Sequence, residues 1–252
     1  FRNVKTIYTI HSSKLENYLT ENKWIAKLIL QKAYKVVAVS NGVKQKIEIE
    51  FKNSAIEVIP NSFDFKTPSN SEILPFKYVI AVGRLVKLKQ FDKLIESYSK
   101  SRLPEKNIHL VILGTGEEQA NLEKKISDFN LQAVVHLLDF KENVYDYISK
   151  AKFLVLTSQY EGFSMVVLEA LSLGIPVVSF DCDYGPRELI HNNSNGILVE
   201  DQNFEELTRK LDIFVDDEIF YQGCKNNAVL SVEKFQSSVI VNQWLQILKN
   251  GN

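Results

Sequence analysis

From residue 76 onward, short apolar runs alternate with amphipathic helical patterns, and this alternation constrains the fold more than any other feature of the chain. The runs predict strands at 78–82, 108–113, 134–138, 153–157, 176–180 and 196–199. The patterns between them predict helices at 91–101, 117–129, 144–151, 165–173 and 186–190, followed by a helical tail from Phe204. Strand runs that are apolar throughout are typical of strands covered on both faces. Repeated strand–helix–strand units therefore predict an α/β fold with a parallel, doubly wound sheet.

The first 64 residues repeat the alternation on a smaller scale. Strands are predicted at 4–10, 35–39 and 56–59, with helices at 24–34 and from a Ser40 cap to Phe51. Residues 65–75, rich in Ser, Pro, Asn and Thr, are predicted to be an interdomain linker. We therefore predict a partial N-terminal domain over 1–64, a C-terminal domain over 76–230, and a helix within 231–252 that packs back toward the N-terminal domain. Because the chain starts at Phe1 and runs directly into an apolar stretch, we expect it to be part of a longer protein.

Composition and missing motifs exclude several classes of function. The 30 basic and 31 acidic side chains give a net charge of -1, so the chain has no overall field that would attract nucleic acid. No apolar run approaches the roughly 20 residues that span a bilayer. Two cysteines without CxxC spacing, and no HExxH, argue against a zinc site and favour a reducing, cytoplasmic location. The sequence also lacks the GxSxG elbow of serine hydrolases and the P-loop of NTPases.

Two glycine-containing loops follow predicted strands, and one of them has residues suited to phosphate. In parallel sheets ligands bind beyond the carboxyl ends of the strands. After 78–82, Gly83 is followed by Arg84, Lys87 and Lys89 ahead of a helix, which suits a diphosphate but also describes a solvated basic loop. After 108–113, the Gly114-Thr115-Gly116 run lacks the third glycine of a dinucleotide fingerprint and predicts a simple tight turn.

The loop after 153–157 leads from Glu161 into a helix for which Ser164 is a candidate N-cap, with free amides directed toward an anion. Glu169 lies within that otherwise apolar helix. It either needs a partner or a ligand, or faces solvent on a polar stripe. His11 ends the first strand and is either a structural hydrogen-bonding residue or a functional one. In the loop at 181–188, Pro186 predicts the first position of a short helix.

These elements, in this order, resemble the family 4 glycosyltransferases of the GT-B fold, from about Val4 to the C terminus. Residues 161–169, EGFSMVVLE, match the E-x7-E signature of the family, and Glu169-Ala170 keeps its ending. Gly83-Arg84-Leu85 followed by Lys89 matches the GRL…K element. Residues 59–64, IPNSFD, resemble the interdomain IPNGVD, with Ser62 in place of Gly. Gln90 stands where the family usually has Gly.

The resemblance implies a role for each matched residue. Arg84 and Lys89 would hold the donor diphosphate and neutralise the charge that grows on it. Glu169 would bind the ribose hydroxyls, Glu161 would contact the transferred sugar, and His11 would reach toward that sugar from the other domain. Further donor contacts are expected from Gly83 and from the backbone of Gly162, Phe163, Ser164, Met165 and Val166.

The resemblance also implies a retaining, metal-independent transfer from a nucleotide-diphosphate sugar, most often a UDP-sugar, with no cofactor. The acceptor would be a glycan or a lipid-linked glycan. The 181–188 loop is similar to that of bacterial enzymes that build lipopolysaccharide, capsule or teichoic acid. Alternatives are a non-catalytic nucleotide-sugar sensor or accessory subunit, and a GT-B epimerase or phosphorylase. The basic amphipathic pattern over 23–35 predicts either peripheral contact with the inner membrane or a helix packed on its own sheet.

Overall fold

The computed structural model describes residues 5–52, 55–69 and 73–249, which form one small and one larger parallel sheet. The small sheet has the order β1-β2-β3, and both of its strand pairings are parallel. Its elements, in chain order, are β1 (Ile7–Ile10), α1 (Lys23–Lys32), β2 (Lys35–Ala38), α2 (Asn41–Phe51) and β3 (Ile56–Val58). Side chains cap both helices: Asn22 accepts from the amides of Trp24 and Ile25, and Ser40 from that of Val43.

The larger sheet has the order β6-β5-β4-β7-β8-β9, again with every pairing parallel. Its strands are β4 (Tyr78–Val82), β5 (His109–Leu113), β6 (Val135–Leu138), β7 (Leu154–Leu156), β8 (Val177–Phe180) and β9 (Gly196–Val199). The helices between them are α3 (Phe91–Lys100), α4 (Gln119–Asp128), α5 (Val144–Lys150) and α6 (Met165–Ser172). The order reverses between β4 and β7, which is where ligands bind in doubly wound sheets. The predicted α/β, doubly wound fold is confirmed.

One predicted helix is shorter than expected. Residues Pro186–Glu188 form a single 3-10 turn, with Pro186 at its first position, rather than a helix to residue 190. Leu189 and Ile190 are almost fully buried, at 0% and 2% exposure. The His191 amide donates to Asn195 Oδ1 at 2.8 Å instead of to a helix carbonyl, so the helix does not continue.

The C-terminal helices return the chain to the small sheet. They are α7 (Phe204–Asp216), α8 (Glu218–Val232) and α9 (Ser237–Lys249). On α9, Ile240 and Ile247 pack in one apolar cluster with Val37 of β2 and with Ile59. Two backbone hydrogen bonds join the tail to Phe63. The Phe63 amide donates to the Phe235 carbonyl at 3.1 Å, and the Phe63 carbonyl accepts from the Ser237 amide at 3.0 Å. The tail thus connects the two sheets.

Parts of three predictions lie outside the described residues: the start of the first strand at Val4, linker positions 70–72, and the chain end at 250–252. The domain bounds themselves stay a prediction.

Helix α1 has a mixed environment. Ala26 and Leu30 are buried, but Trp24 is 70% exposed, and Ile25 and Ile29 are partly exposed beside lysines. Within 5–52, 55–69 and 73–249, none of the helices combines the length and the apolar content needed to cross a bilayer.

Candidate functional site

The loops after β4 and β7 leave the sheet side by side at the switch point. Thr157 Oγ1 donates to the Lys89 carbonyl at 2.7 Å, and the Gln159 amide donates to the Leu88 carbonyl at 3.0 Å. A cleft of about 500 Å³ lies between these loops and the end of β1. All the predicted site residues line it: His11, Gly83, Arg84, Lys89, Glu161, Gly162, Phe163, Ser164, Met165, Val166 and Glu169. The structure therefore brings together residues that are far apart in the sequence.

Lys89 and Glu161 form an ion pair within the cleft. Lys89 Nζ lies 2.7 Å from Glu161 Oε1, and the side chains are only 18% and 14% exposed. The 181–188 loop supports Glu161 from behind, because a Cβ at Gly185 would lie 2.5 Å from the Glu161 Cβ. Any side chain at position 185 would therefore displace Glu161, which explains why this position is a glycine.

Arg84 presents an exposed guanidinium to the same cleft. In the part of the chain that the structure describes, no carboxylate lies within ion-pair distance of it. Arg84 can therefore bind an anion without first leaving a protein partner. The neighbouring Gly83 leaves room for Lys89, since a Cβ at position 83 would come within 3.3 Å of the Lys89 side chain.

Helix α6 begins at the cleft. Ser164 occupies its N-cap position, as predicted, with an extended backbone. Its hydroxyl accepts no capping hydrogen bond, so the first-turn amides of α6 have no side-chain acceptor there. Such amides and the helix dipole favour an anionic ligand.

Glu169 lies one to two turns into α6 and is half-buried. Its Oε1 accepts a hydrogen bond from the Tyr145 hydroxyl at 3.0 Å, so the partner that an apolar helix requires is present. Burial raises the pKa of Glu169, whereas the Tyr145 hydrogen bond and the nearby charge of Lys66 act in the opposite direction. The structure contradicts the alternative of a solvent-facing polar stripe.

His11 approaches the cleft from the small sheet. Its ring is exposed and lies 6.4 Å from that of Tyr18, centroid to centroid. Its backbone makes the closer contact: a Cβ at Gly162 would lie 2.4 Å from the His11 carbonyl oxygen. The end of β1 thus rests on the loop that leads into α6.

A second cavity of about 240 Å³ adjoins the cleft and shares Arg84 and Glu169 with it. Phe140, which is 70% exposed, Lys141 and Thr115 also line it. The Gly114-Thr115-Gly116 run is more than a tight turn here, because Cβ atoms at the two glycines would lie 1.9 Å from the Gly83 carbonyl oxygen and 2.3 Å from that of Leu85. The glycines allow the neighbouring loops to touch.

Sequence reasoning missed the residues that surround Glu169, namely Tyr145, Lys66 and Lys141. None belongs to a recognisable motif. The packing of α5 against α6 brings Tyr145 to Glu169, whereas Lys66 and Lys141 reach this region from loops. Over the described ranges, no three His, Cys, Asp or Glu side chains gather as metal ligands would.

Comparison with known proteins agrees with this geometry. The profile of a family described as "Glycosyl transferases group 1" matches residues 63–230. An N-acetylgalactosaminyltransferase of Campylobacter jejuni, named for a diphospho-undecaprenol-linked acceptor, is 30% identical over 90% of this chain and 63% of its own length. An uncharacterised glycosyltransferase of Haemophilus influenzae is 28% identical over 85% of this chain and 61% of its own length. The chain thus spans less than two thirds of these relatives.

Solved glycosyltransferase structures share the fold. S. aureus TarM, crystallised with fondaparinux, alpha-GlcNAc-glycerol and UDP, superposes with a TM-score of 0.86 at 25% identity, over 98% of this chain and 51% of TarM. HepE from Anabaena, crystallised with UDP-glucose, gives a TM-score of 0.86 at 22% identity, over 98% of this chain and 72% of HepE, and is similar in fold. The chain belongs to the group 1 glycosyl transferases and has the GT-B fold of their family 4 type.

Proposed function

We propose that this chain carries the donor site of a retaining glycosyltransferase, which moves a sugar from a nucleotide-diphosphate donor to a glycan or a lipid-linked acceptor. The observation that carries the proposal is the convergence of Arg84, Lys89, the α6 N-terminus and Glu169 on one cleft at the switch point of the sheet. Cations and helix amides suit a diphosphate, and a half-buried carboxylate suits ribose hydroxyls.

The reaction requires departure of a nucleoside diphosphate from the anomeric carbon. Arg84, Lys89 and the α6 amides would stabilise the negative charge that grows on the leaving group, more strongly in the transition state than in the ground state. These groups serve where a metal ion would otherwise act, so we propose transfer without a metal or other cofactor. Glu161 is engaged by Lys89 through Oε1. We therefore assign Glu161 to contact with the transferred sugar. We propose that the acceptor attacks the anomeric carbon on the face from which the diphosphate leaves, without a protein nucleophile.

The donor class is proposed to be a UDP-sugar. Three structural neighbours, TarM, GtfA and HepE, were crystallised with UDP or UDP-glucose. The smaller cavity next to Glu169 would receive the nucleoside, with the exposed ring of Phe140 available to the base.

The acceptor class is proposed to be an envelope polysaccharide or its lipid-linked precursor. Named relatives act on diphospho-undecaprenol-linked glycan, poly(glycerol-phosphate), poly(ribitol-phosphate) and lipopolysaccharide core. We propose that the chain meets such an acceptor at the cytoplasmic face of the membrane. Peripheral contact there is proposed through α1, where Trp24 and Ile25 are exposed beside Lys23 and Lys27.

Nucleotide binding provides the first test. The melting temperature is measured with UDP, GDP, ADP and CMP for the wild type, for Glu169→Ala, and for Glu205→Ala as a control on the exposed side of α7. A ligand at 100 times its Kd stabilises the fold by roughly 2.7 kcal/mol, which is a rise of several degrees. We expect UDP to raise the melting temperature of the wild type and of Glu205→Ala but not that of Glu169→Ala. A rise with none of the nucleotides would contradict the donor site.

Transfer provides the second test. UDP-sugars are incubated with lipid-linked or polyol-phosphate acceptors, with and without EDTA. The proposal expects an α-linked product from an α-linked donor at an unchanged rate in EDTA. Nucleotide binding without transfer by the whole protein would favour a sensor or accessory subunit instead.

A further inference from the structure

Among the residues that the structure describes, Tyr145 alone makes a side-chain hydrogen bond to the Glu169 carboxylate. Its hydroxyl donates to Glu169 Oε1 at 3.0 Å, from α5 to α6. Across the described ranges, Oε2 of the same carboxylate accepts no hydrogen bond. Glu169 also lines both the cleft and the smaller cavity beside it. One oxygen is thus fixed by the protein, and the other is left to accept hydrogen bonds from a ligand.

Tyr145 is itself held by residues 63–69, the part of the connection between the two sheets that is called the connecting segment below. Lys66 Nζ lies 4.3 Å from the centroid of the Tyr145 ring. Three residues further on, the Ser69 amide donates to Asp146 Oδ1 at 2.6 Å, so the segment is attached to α5 at two points. At its other end it is tied to the C-terminal tail at Phe63. This segment resembles a plain linker in composition, yet it lies against the residues that fix Glu169.

The charges around Glu169 support the same arrangement. Burial raises the pKa of Glu169, and the Tyr145 hydrogen bond and the charge of Lys66 oppose that rise. Burial also raises the pKa of Tyr145 to about 12, with a further contribution from Glu169, so its hydroxyl stays a donor at neutral pH. From other elements, Arg84 and Lys141 share the smaller cavity, and Lys89, Glu161 and His11 share the cleft. The Tyr145 hydroxyl and the charge of Lys66 favour the ionised form of this carboxylate, which is the stronger acceptor for hydroxyl groups.

We infer that Tyr145 is a positioning residue for the donor ribose, which acts by fixing the Glu169 carboxylate, and that Lys66 makes the connecting segment part of the donor site. The inference rests on the proposed function, since it needs a nucleotide whose ribose meets Glu169. It assigns a role to two residues that belong to no motif of the chain.

The test compares UDP with 2′,3′-dideoxy-UDP, which lacks the hydroxyls that Glu169 would bind. Both dissociation constants are measured by calorimetry for the wild type, Tyr145→Phe, Lys66→Met and the control Tyr147→Phe. Tyr147 lies on the same helix, and within the described residues its hydroxyl makes no hydrogen bond. We expect Tyr145→Phe to weaken UDP binding about tenfold while leaving dideoxy-UDP nearly unchanged, because only the hydroxyl contacts depend on the fixed carboxylate. Lys66→Met should reduce the preference for UDP less, and Tyr147→Phe should keep it.

A separate variant keeps the two claims distinguishable. Glu169→Ala should abolish the preference for UDP over dideoxy-UDP. If it retains that preference, the ribose assignment within the proposed function is wrong and the inference falls with it. If Glu169→Ala loses the preference but Tyr145→Phe keeps it, or weakens both ligands equally, only the positioning role is overturned. An unchanged preference in Lys66→Met would remove the connecting segment from the donor site.

Discussion

Lys89 Nζ lies 2.7 Å from Glu161 Oε1, so the proposed donor cleft holds one of its two cations in a pre-formed ion pair. Arg84, in contrast, has no carboxylate within ion-pair distance among the described residues and is exposed to the cleft. The pair is neutral as a unit, which leaves Arg84 and the α6 N-terminus as the net positive groups. A diphosphate that approaches Lys89 therefore competes with Glu161 for the ammonium.

The first prediction concerns this competition. We expect Glu161→Gln to strengthen UDP binding by about threefold to tenfold, because removal of the carboxylate charge frees Lys89 for the diphosphate. Lys89→Met should weaken UDP binding by a similar factor. In the whole enzyme, Lys89→Met should lower kcat by about 10²–10³-fold, because the lysine is proposed to stabilise the leaving group.

Isothermal calorimetry with UDP at two salt concentrations measures the effect. Glu205→Gln, a change of charge on the exposed side of α7, is the matched control and should leave affinity unchanged. Weaker UDP binding by Glu161→Gln would mean that Glu161 holds Lys89 in place for the diphosphate rather than competing with it.

The second prediction concerns the contact between the sheets at Gly162. A Cβ there would lie 2.4 Å from the His11 carbonyl oxygen and 2.8 Å from the Ser12 Cα, and backbone atoms can yield only if the small sheet moves away. We expect Gly162→Ala to lower the free energy of unfolding by about 1–3 kcal/mol, the usual cost of overpacking, and to weaken UDP binding.

Gly223, in the middle of α8, is the matched control because a Cβ there would meet nothing within 4 Å. Gly223→Ala should stabilise the fold by up to about 1 kcal/mol, since alanine favours a helix interior. Chemical denaturation of both variants measures these changes in the free energy of unfolding. Equal stability of Gly162→Ala and the wild type would show that the two sides of the cleft move apart without cost.

The third prediction concerns Gln90, which stands where the family usually has glycine. Gln90 has φ 52° and ψ 36°, the left-handed region that favours glycine, and it is 2% exposed. Its side-chain amide contacts that of Gln202 at 2.9 Å. Gln90→Ala and Gln90→Gly both lose this contact, but only glycine relieves the backbone strain. We expect Gln90→Gly to be more stable than Gln90→Ala by about 1 kcal/mol in denaturant unfolding, and the reverse order would exclude a left-handed residue 90.

The strand pattern and the family motifs were enough to predict the doubly wound sheet and the membership of the cleft. Apolar runs covered on both faces identify parallel strands, and the post-strand loops Gly83–Lys89 and Glu161–Glu169 must then meet at the switch point. The prediction of a helix over 186–190 was wrong because the Asn195 side chain takes the His191 amide, a contact that the local pattern does not reveal.

Contacts that depend on packing could not be predicted. Tyr145 is 24 residues from Glu169, and only the approach of α5 to α6 brings the two together. His109 and His136 show no shared spacing in the sequence. The parallel register sets His136 opposite Val111, two residues from His109, so the imidazoles meet on one face of the sheet.

The fourth prediction concerns these two imidazoles. His109 Nδ1 lies 2.8 Å from His136 Nε2, and both rings stack on Phe76, with centroids 4.1 and 4.6 Å from it. His109 Nε2 also lies 3.2 Å from Asn107 Oδ1, an acceptor, so Nε2 carries the proton and Nδ1 accepts from His136. Protonation of His109 would remove that acceptor.

Burial lowers the pKa of both histidines, and the charge of His109 lowers that of His136 further. In the unfolded chain a histidine titrates near about pH 6.5, so below that pH the unfolded state binds more protons than the folded state. The resulting stability is fully present above about pH 6.5 and is lost as the pH falls through the lowered pKa values.

We expect the free energy of unfolding of the wild type to fall between pH 7.5 and 5. The free energy of unfolding of His109→Asn, which keeps an acceptor but does not titrate, should fall less steeply. His191→Asn, at an exposed histidine, should keep the slope of the wild type. Urea unfolding at each pH measures the slopes, and equal slopes for His109→Asn and the wild type would mean that the acid sensitivity arises elsewhere in the chain.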